Sequence, residues 1–273
     1  MVQHFDVLIV GAGISGISAA YHLQDQCPDK SYAILENQES FGGTWLTHTY
    51  PGIRSDSDLY TFGYKFKPGT SAPIPSADEI LKYMNEVIEE NGIDKNIRYQ
   101  HQIKSASWSS EAKLWTLTAL QKDTDETVQI TCNFLWMFQG YYRHAKGYTP
   151  DFKGMDQFKG EIVHPQTWPE NFDYKGKKVL VIGSGATAAT IIPAMAEECE
   201  HITMLQRSPT YFIPAENRNE VADMLRELDI PEEWVKVFVR KKILHDQNVL
   251  VQRTYDEPET VIEELIAADR EHR

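Results

Sequence analysis

Residues 5–16 read FDVLIVGAGISG, and they carry the clearest information about the fold. Its short, almost continuously apolar first half is typical of a strand buried on both faces of a parallel sheet. The strand runs directly into Gly11, Gly13 and Gly16, which are spaced as in the pattern G-x-G-x-x-G. A helical pattern with small residues near its start follows at residues 17–23. The stretch therefore predicts a strand, a glycine turn and a helix.

A second buried strand is predicted at residues 31–36, which read SYAILE, and it completes a βαβ unit. Gly11 would permit the tight turn, Gly13 the approach of a pyrophosphate to the backbone, and Gly16 close packing of helix and strand. The helix N-terminus adds the positive end of its dipole. Glu36, at the end of the second strand, can accept hydrogen bonds from a ribose diol. A plain tight turn in an α/β domain is the alternative.

The same pattern returns at residues 178–188, which read KVLVIGSGATA, with a further strand at residues 201–205. Gly183, Gly185 and Ala188 form the variant G-x-G-x-x-A. The sequence therefore predicts an α/β fold with two tandem Rossmann-like dinucleotide-binding domains in three layers.

The two strand ends differ in charge, which suggests a different nucleotide for each unit. The second strand is followed by Arg207 and Ser208 and carries no acid. Arg207 can pair bidentately with a 2′-phosphate, and Ser208 can donate a hydrogen bond to it. Glu36 suits a free diol, as in FAD, whereas Arg207 suits NADPH, unless Arg207 is simply a solvated surface residue. Two such sites imply hydride transfer between two dinucleotides.

Elements between and after the two units are less regular. Residues 41–75 predict a long functional loop, and residues 76–79 form a capping box for a helix that ends near Gly92. Residues 103–119 alternate as in a hairpin, and residues 134–138 predict another buried strand.

Charge and cysteine content narrow the class of protein. The net charge of −13 disfavours nucleic acid as a partner, because phosphates would be repelled. Cys27, Cys132 and Cys199 show no C-x-x-C pairing, which disfavours a metal site or a disulfide framework and fits a reducing cytoplasm. No basic region precedes the first strand at Phe5, and no apolar run approaches the roughly 20 residues that span a bilayer.

A longer motif lies between the two units, where residues 158–169 read FKGEIVHPQTWP. Phe158, Gly160, His164 and Trp168 match F-x-G-x-x-x-H-x-x-x-W-P, and the chain resembles the Baeyer–Villiger-type flavin monooxygenases that carry this fingerprint. The likeness covers essentially the whole chain and is strongest to the bacterial subgroup that includes the ethionamide-activating monooxygenase. In the family the fingerprint His and Trp bear on cofactor-linked domain motion, although Trp168 is equally compatible with plain core packing.

The resemblance extends to three further stretches, GGTW at residues 42–45, YPGIRSDSD at residues 50–58 and QRSPTY at residues 206–211. They look like the flavin-contacting turn, the loop near the flavin and nicotinamide rings, and the NADPH strand end. The predicted cofactor-binding residues are Gly11, Gly13, Ser15, Gly16, Glu36, Gly43, Thr44, Trp45, Arg54, Ser55, Asp56 and Ile103, together with Gly183, Ser184, Gly185, Ala186, Thr187, Ala188, Arg207 and Ser208.

The family mechanism implied by the resemblance uses NADPH to reduce FAD and O₂ to form a flavin C4a-peroxide. That peroxide would convert a small-molecule ketone to an ester or lactone, or oxygenate a sulfur centre. Asp56 and Arg54 would be the catalytic residues, Asp56 beside the flavin and Arg54 beside the nicotinamide. The alternatives are an Asx-turn residue for Asp56 and a surface arginine for Arg54.

The expected organisation is an FAD domain at residues 1–146, a linker at residues 147–177, and an NADPH domain at residues 178–273 with a helical insertion from about residue 217. Family members continue beyond residue 273, and no position here matches their oxygen-transfer arginine. The chain would then be a truncation, or a short form that needs a C-terminal partner segment, and of low stability alone.

Other functions fit less well. A monooxygenase acting only on nitrogen or sulfur usually lacks the Trp at position 168, and a disulfide reductase needs a cysteine pair that residues 37–60 lack. A non-catalytic dinucleotide-binding fragment is the alternative of another class.

Overall fold

A computed structural model describes residues 2–67, 69, 72–208, 210, 212 and 216–271. Two glycine turns, each between a strand and a helix, recur along the chain. The strands are β1 (Gln3–Val10), β2 (Tyr32–Leu35), β3 (Ile97–Arg98), β4 (His101–Ser109), β5 (Leu114–Gln121), β6 (Glu126–Met137), β7 (Lys178–Ile182) and β8 (His201–Leu205). The helices are α1 (Ile14–Gln26), α2 (Thr44–Thr47), α3 (Leu59–Phe62), α4 (Ala77–Glu90), α5 (Ala186–Met195), α6 (Glu220–Glu227), α7 (Glu232–Asp256) and α8 (Pro258–Glu271).

The first compact unit comprises the chain up to Thr49 together with Ile80–Glu170. Its six-stranded sheet has the order β3-β2-β1-β6-β5-β4. Strand β1 pairs in parallel with β2 and β6, whereas β4, β5 and β6 form an antiparallel meander. The parallel part is the Rossmann-like half that the glycine turn predicts, and the meander contains the predicted hairpin.

The core of this unit confirms that the first two strands are buried. Val7–Val10 at the end of β1 and all four residues of β2 are buried, because helices and neighbouring strands cover them. The prediction of a buried strand at residues 134–138 is wrong in part, since Phe134 is 55% exposed and Met137 is 48% exposed. Phe134 and Met137 are three residues apart on β6, so their exposed side chains lie on opposite faces of the sheet.

The second compact unit comprises Tyr50–Glu79 and the chain from Asn171 onward. Strands β7 and β8 pair in parallel around the second glycine turn. Residues 50–79 belong to this unit by their contacts, although the sequence places them in the first domain, because Gly52 packs on α5. The division after Glu170 also falls inside the predicted linker.

Helices α6, α7 and α8 make up the helical region predicted from about residue 217. Arg240 on α7 donates to the carbonyl oxygens of Tyr60 and Thr61 and so satisfies the end of α3. Lys236, one turn before Arg240, donates to the carbonyl oxygen of Tyr64. Burial, with Arg240 and Lys67 adding repulsion, lowers the pKa of the Lys236 ammonium to about 8. These contacts dock α7 onto residues 59–67.

The fold prediction is confirmed: the chain is an α/β protein with two tandem β–glycine turn–α–β units. The capping box also forms, since the Ser76 amide donates to Glu79 Oε2 and the Glu79 amide donates to Ser76 Oγ. The predicted long loop holds two short helices, α2 and α3. No helix in the described part of the chain combines the length and the apolar character needed to cross a membrane.

Cys27 and Cys132 are expected to differ sharply in their reactivity toward alkylating reagents. Cys132 lies in the apolar cluster of the first sheet, and burial raises the pKa of its thiol to about 11. Cys27 is exposed. Because the thiolate is the reactive form, iodoacetamide at pH 8 should label Cys27 in the native chain and leave Cys132 unmodified.

Mass spectrometry of peptides from native and urea-unfolded protein checks this, since unfolding should make all three cysteines reactive. Labelling of native Cys132 as fast as that of Cys27 would show that the first sheet opens readily.

Candidate cofactor-binding site

The first glycine turn connects β1 to α1 and leaves no room for a side chain at Gly11 or Gly16. Gly11 has φ of +98°, and a methyl group there would lie 2.5 Å from the carbonyl oxygen of Phe138. A methyl group at Gly16 would lie 1.9 Å from the carbonyl oxygen of Gly11. Helix α1 begins after Gly13 with neither a capping side chain nor an acidic residue in its first turn. Its first amides and its positive dipole end can therefore take a phosphate.

The GGTW turn docks against this glycine turn. The Gly42 amide donates to the carbonyl oxygen of Ala12 at 3.0 Å. A methyl group at Gly43 would lie 3.3 Å from the Cα atom of Gly13. Thr44 and Trp45 open α2 directly after this contact. The structure thus places the first glycine turn and the predicted flavin-contacting GGTW turn side by side.

Glu36 is buried beside the glycine turn. Its Oε2 accepts from the Ala12 amide at 2.7 Å, and its Oε1 accepts from the Gln38 amide at 2.8 Å. A carboxylate has about four lone-pair sites, so two remain for a ribose diol. Asn37 Oδ1 is buried and has no hydrogen-bond partner among the described residues. Buried acceptors normally have a donor, and a hydroxyl of a bound dinucleotide ribose could donate to this oxygen.

Two other predicted residues of the first site, Ser15 and Ile103, lie in different surroundings. Ser15 is exposed at the second position of α1. Ile103 lies on β4 and packs against the apolar cluster of the first sheet that includes Leu8 and Leu117. The structure therefore shows Ile103 in a packing role.

The second glycine turn connects β7 to α5. Gly183 has φ of +124°, and a methyl group at Gly183 or Gly185 would meet no described atom within 4 Å. Helix α5 begins at Ala186 and, like α1, has neither a capping side chain nor an acidic first turn. Ser184 Oγ lies 2.7 Å from Thr210 Oγ1. This hydrogen bond holds the turn to the chain that follows β8. The open backbone can receive a second pyrophosphate.

The end of β8 carries the predicted phosphate-binding residues. Arg207 and Ser208 are exposed, and Arg207 forms no ion pair with any residue that the structure describes. Gln206 Oε1 is buried without a hydrogen-bond partner in the described part of the chain, as Asn37 Oδ1 is at the end of β2. An unpaired guanidinium next to an unpaired acceptor suits a phosphorylated ribose, and exposure alone also suits a solvated arginine.

The loop at residues 50–58 lies beside the second glycine turn. The Tyr50 hydroxyl is hydrogen-bonded to Thr187, the second residue of α5. Burial raises the pKa of the Tyr50 hydroxyl, and the charge of Asp56 raises it further. A methyl group at Gly52 would lie 2.8 Å from Ala194 Cβ, so the loop packs closely on α5. Tyr50 was absent from the predicted site residues, although it stands within the YPGIRSDSD stretch.

Within this loop Ser55 is buried, whereas the residues on either side of it are exposed. Ser55 Oγ donates to the Ser57 carbonyl at 2.8 Å and accepts from the Ser57 amide at 3.0 Å. Ser55 therefore shapes the loop. Arg54 and Asp56 are exposed, and Asp56 forms no hydrogen bond with a described residue, so it does not make an Asx turn. The N-cap of α3 is Asp58.

The fingerprint lies within the first unit, in the segment before its end at Glu170. His164 Nδ1 accepts from the Gln166 amide at 3.2 Å, so Nδ1 carries no proton. The imidazole packs directly over Gly147, where a methyl group would lie 2.1 Å from His164 Cε1. Phe158 is exposed and its ring folds over Gly160, whereas Trp168 is half-buried. His164 therefore acts here as a structural contact.

Comparison with known proteins agrees with these features. The NAD(P)-binding Rossmann-like domain matches residues 9–73, and the flavin-binding monooxygenase-like family matches residues 73–226, more than half of the chain. The FAD-containing monooxygenase EthA of Mycolicibacterium smegmatis is 56% identical over 78% of this chain and 43% of its own length.

Solved structures give the same result. Cyclohexanone monooxygenase from Rhodococcus sp. Phi1, in a triple mutant bound to NADP⁺, superposes with a TM-score of 0.70 at 29% identity, over 82% of this chain and 43% of its own. An oxidized steroid monooxygenase bound to NADP superposes with a TM-score of 0.69 at 30% identity, over 83% and 43%. The chain spans about half the length of the curated relatives it matches.

The resemblance drawn from the fingerprint is thereby confirmed, and this chain belongs to the flavin-binding monooxygenase-like family.

Proposed function

We propose that the chain binds FAD at the first glycine turn and NADPH at the second, as the cofactor-binding part of a flavin monooxygenase. Its substrate would be a small-molecule ketone, oxidised with O₂ to an ester or lactone, or a compound with an oxidisable sulfur. The observation that carries this proposal is the contrast between Glu36 and Arg207 at equivalent strand ends. The names of the relatives and of the structural neighbours support it.

The residues of each glycine turn and of the strand end beside it would bind and orient one of the two cofactors. The amides at the start of α1 and of α5 would hold the two pyrophosphates, Glu36 the FAD ribose, and Arg207 with Ser208 the 2′-phosphate. FAD supplies the electron transfer and the oxygen chemistry when it is bound. Tyr50 bridges from the YPGIRSDSD loop to Thr187, so the exposed Arg54 and Asp56 would be presented on the NADPH side.

Oxygen transfer itself is proposed to need residues that this chain does not match, such as the arginine implied by the family resemblance. A C-terminal partner segment is one way to supply it. The predicted boundaries of the FAD domain, linker and NADPH domain, and a cytoplasmic location, stay predictions.

The test is the visible absorption spectrum of the purified chain, before and after anaerobic addition of NADPH or NADH. We expect a flavin spectrum that bleaches with NADPH and, at equal concentration, roughly ten-fold more slowly with NADH, because only NADPH offers the 2′-phosphate to Arg207. A chain that is colourless and cannot be loaded with FAD would overturn the proposal.

Substrate class is tested separately with cyclohexanone and with a thioether under aerobic turnover. Lactone formation would support the ketone assignment, and sulfoxide as the sole product would place the activity on sulfur. Flavin reduction without either product would leave the chain as a cofactor-binding part alone.

A further inference from the structure

The segment at residues 143–147 is held on one side by the fingerprint. The Gln166 side-chain amide donates to the carbonyl oxygen of Arg143. Four residues later, Gly147 lies directly under the imidazole of His164. Both contacts are within the first unit, so the fingerprint fixes the path of the backbone on either side of His144.

On its other side the same segment is held by α2, the helix that opens in the GGTW turn. His144 Nδ1 lies 3.2 Å from Thr47 Oγ1. The same hydroxyl oxygen lies 3.1 Å from the Gly43 carbonyl oxygen and 3.3 Å from His48 Nδ1. Thr47 thus joins the beginning of the GGTW turn to His144, which is 97 residues away in the chain.

The carbonyl oxygens of Gly43 and Thr44 set the directions of these hydrogen bonds, because a carbonyl oxygen can only accept. Nδ1 of His48 lies 3.0 Å from the Thr44 carbonyl oxygen, so this nitrogen carries a proton. The His48 ring is buried and contacts the Tyr142 ring at 5.5 Å between centroids. The Thr47 hydroxyl donates to the Gly43 carbonyl oxygen, so its oxygen is left to accept from a protonated Nδ1 of His144.

We propose that His144 is a positioning residue of the flavin site. Through Thr47 it ties the GGTW turn to the segment that the fingerprint holds, and it does so in its neutral form. The inference rests on the proposed function only in calling this turn a flavin contact, since the hydrogen bonds exist in the chain by itself.

Burial, together with the charge around His144, favours the neutral form of its ring. Burial lowers the pKa of His144, the nearby His48 lowers it further, and Glu36 opposes both by raising it. Protonation would place a charge on the half-buried ring of His144, next to the ring of His48. Because the pKa is below 6.5 in the folded chain, the contact is fully present above pH 6.5 and weakens as the pH falls below that value.

The test is amide hydrogen exchange of the chain without added cofactor, followed for peptides that cover residues 42–48, at pH 7.5 and pH 5.5 with correction for intrinsic rates. His144→Phe keeps a ring without a hydrogen bond, and His144→Asn keeps a polar atom near the Nδ1 position without titrating. Thr47→Val and Thr47→Ser form the matching pair on α2.

At pH 7.5 we expect His144→Phe and Thr47→Val to exchange about five-fold faster than the unsubstituted chain in this peptide, and His144→Asn and Thr47→Ser to stay close to it. At pH 5.5 the unsubstituted chain should approach His144→Phe, whereas His144→Asn should show no such change. Peptides from β1 serve as the reference for general destabilisation.

Equal exchange in His144→Phe and the unsubstituted chain, or the same pH dependence in His144→Asn, would overturn the inference. FAD affinity is measured on the same proteins by quenching of flavin fluorescence. Failure of every protein to bind FAD would count against the proposed function, while the exchange data would still decide the role of His144.

Discussion

Gly16→Ala is expected to lower the thermal midpoint of the first unit by roughly 10 °C, which corresponds to about 3 kcal/mol of unfolding free energy. The added methyl group would lie 1.9 Å from the carbonyl oxygen of Gly11, and both groups are backbone-anchored. Gly11 cannot move away freely, because its amide donates to the carbonyl oxygen of Leu35 at 2.9 Å. The clash can be relieved only if α1 shifts away from β1, and this shift would break the close packing of the turn.

The sign of this effect is informative, because alanine in a helix normally stabilises by about 1 kcal/mol relative to glycine. Circular dichroism melts of the chain measure the change directly. Gly13→Ala is the matched control, since its methyl group would lie 3.9 Å from the Cα atom of Gly43, an ordinary contact. It should melt as the unsubstituted chain does and lose affinity for FAD. A Gly16→Ala protein with an unchanged melt would show that the turn is not packed as described.

Arg207→Ala is expected to abolish the preference for NADPH over NADH, with a loss of roughly ten-fold in NADPH affinity. Arg207 is exposed and unpaired among the described residues, so the substitution removes no internal contact. The substitution should therefore change the binding of NADPH and leave the stability of the chain unchanged. The rate of anaerobic flavin reduction against NADPH and NADH concentration measures it.

Arg207→Lys is the matched variant, since it keeps the charge and loses the bidentate geometry, and an intermediate preference is expected. NADH kinetics should change little in either protein, because NADH lacks the phosphate. If Arg207→Ala and the unsubstituted chain show equal NADPH kinetics, Arg207 is a solvated surface residue and does not bind the 2′-phosphate.

Local pattern was enough to predict the elements of both dinucleotide-binding units. Residues 5–16 and 178–188 combine an apolar run with glycines at fixed spacing, and both form a strand, a tight turn and a helix. The steric exclusion at Gly16 acts within this stretch, because a methyl group there would meet the carbonyl oxygen of Gly11, whereas the exclusion at Gly11 comes from the distant carbonyl oxygen of Phe138. Burial was predicted less well for residues 134–138, since it depends on which other elements cover a strand.

Contacts between distant parts of the chain were decided only by the tertiary structure. The YPGIRSDSD loop follows the first βαβ unit in the sequence, yet Gly52 and Tyr50 contact α5, more than 130 residues later. His144 and Thr47 meet across 97 residues, and neither belongs to a recognised motif.

The sequence by itself therefore determined the two glycine turns, the different charges at their strand ends and the fingerprint, because each depends on residues close together in the chain. Only the folded chain decided that Glu36 binds the Ala12 amide, that Ser55 turns inward, and that the fingerprint reaches the GGTW turn through His144. Hydrogen bonds of this kind depend on the positions of side chains brought together by packing, and no spacing in the sequence records those positions.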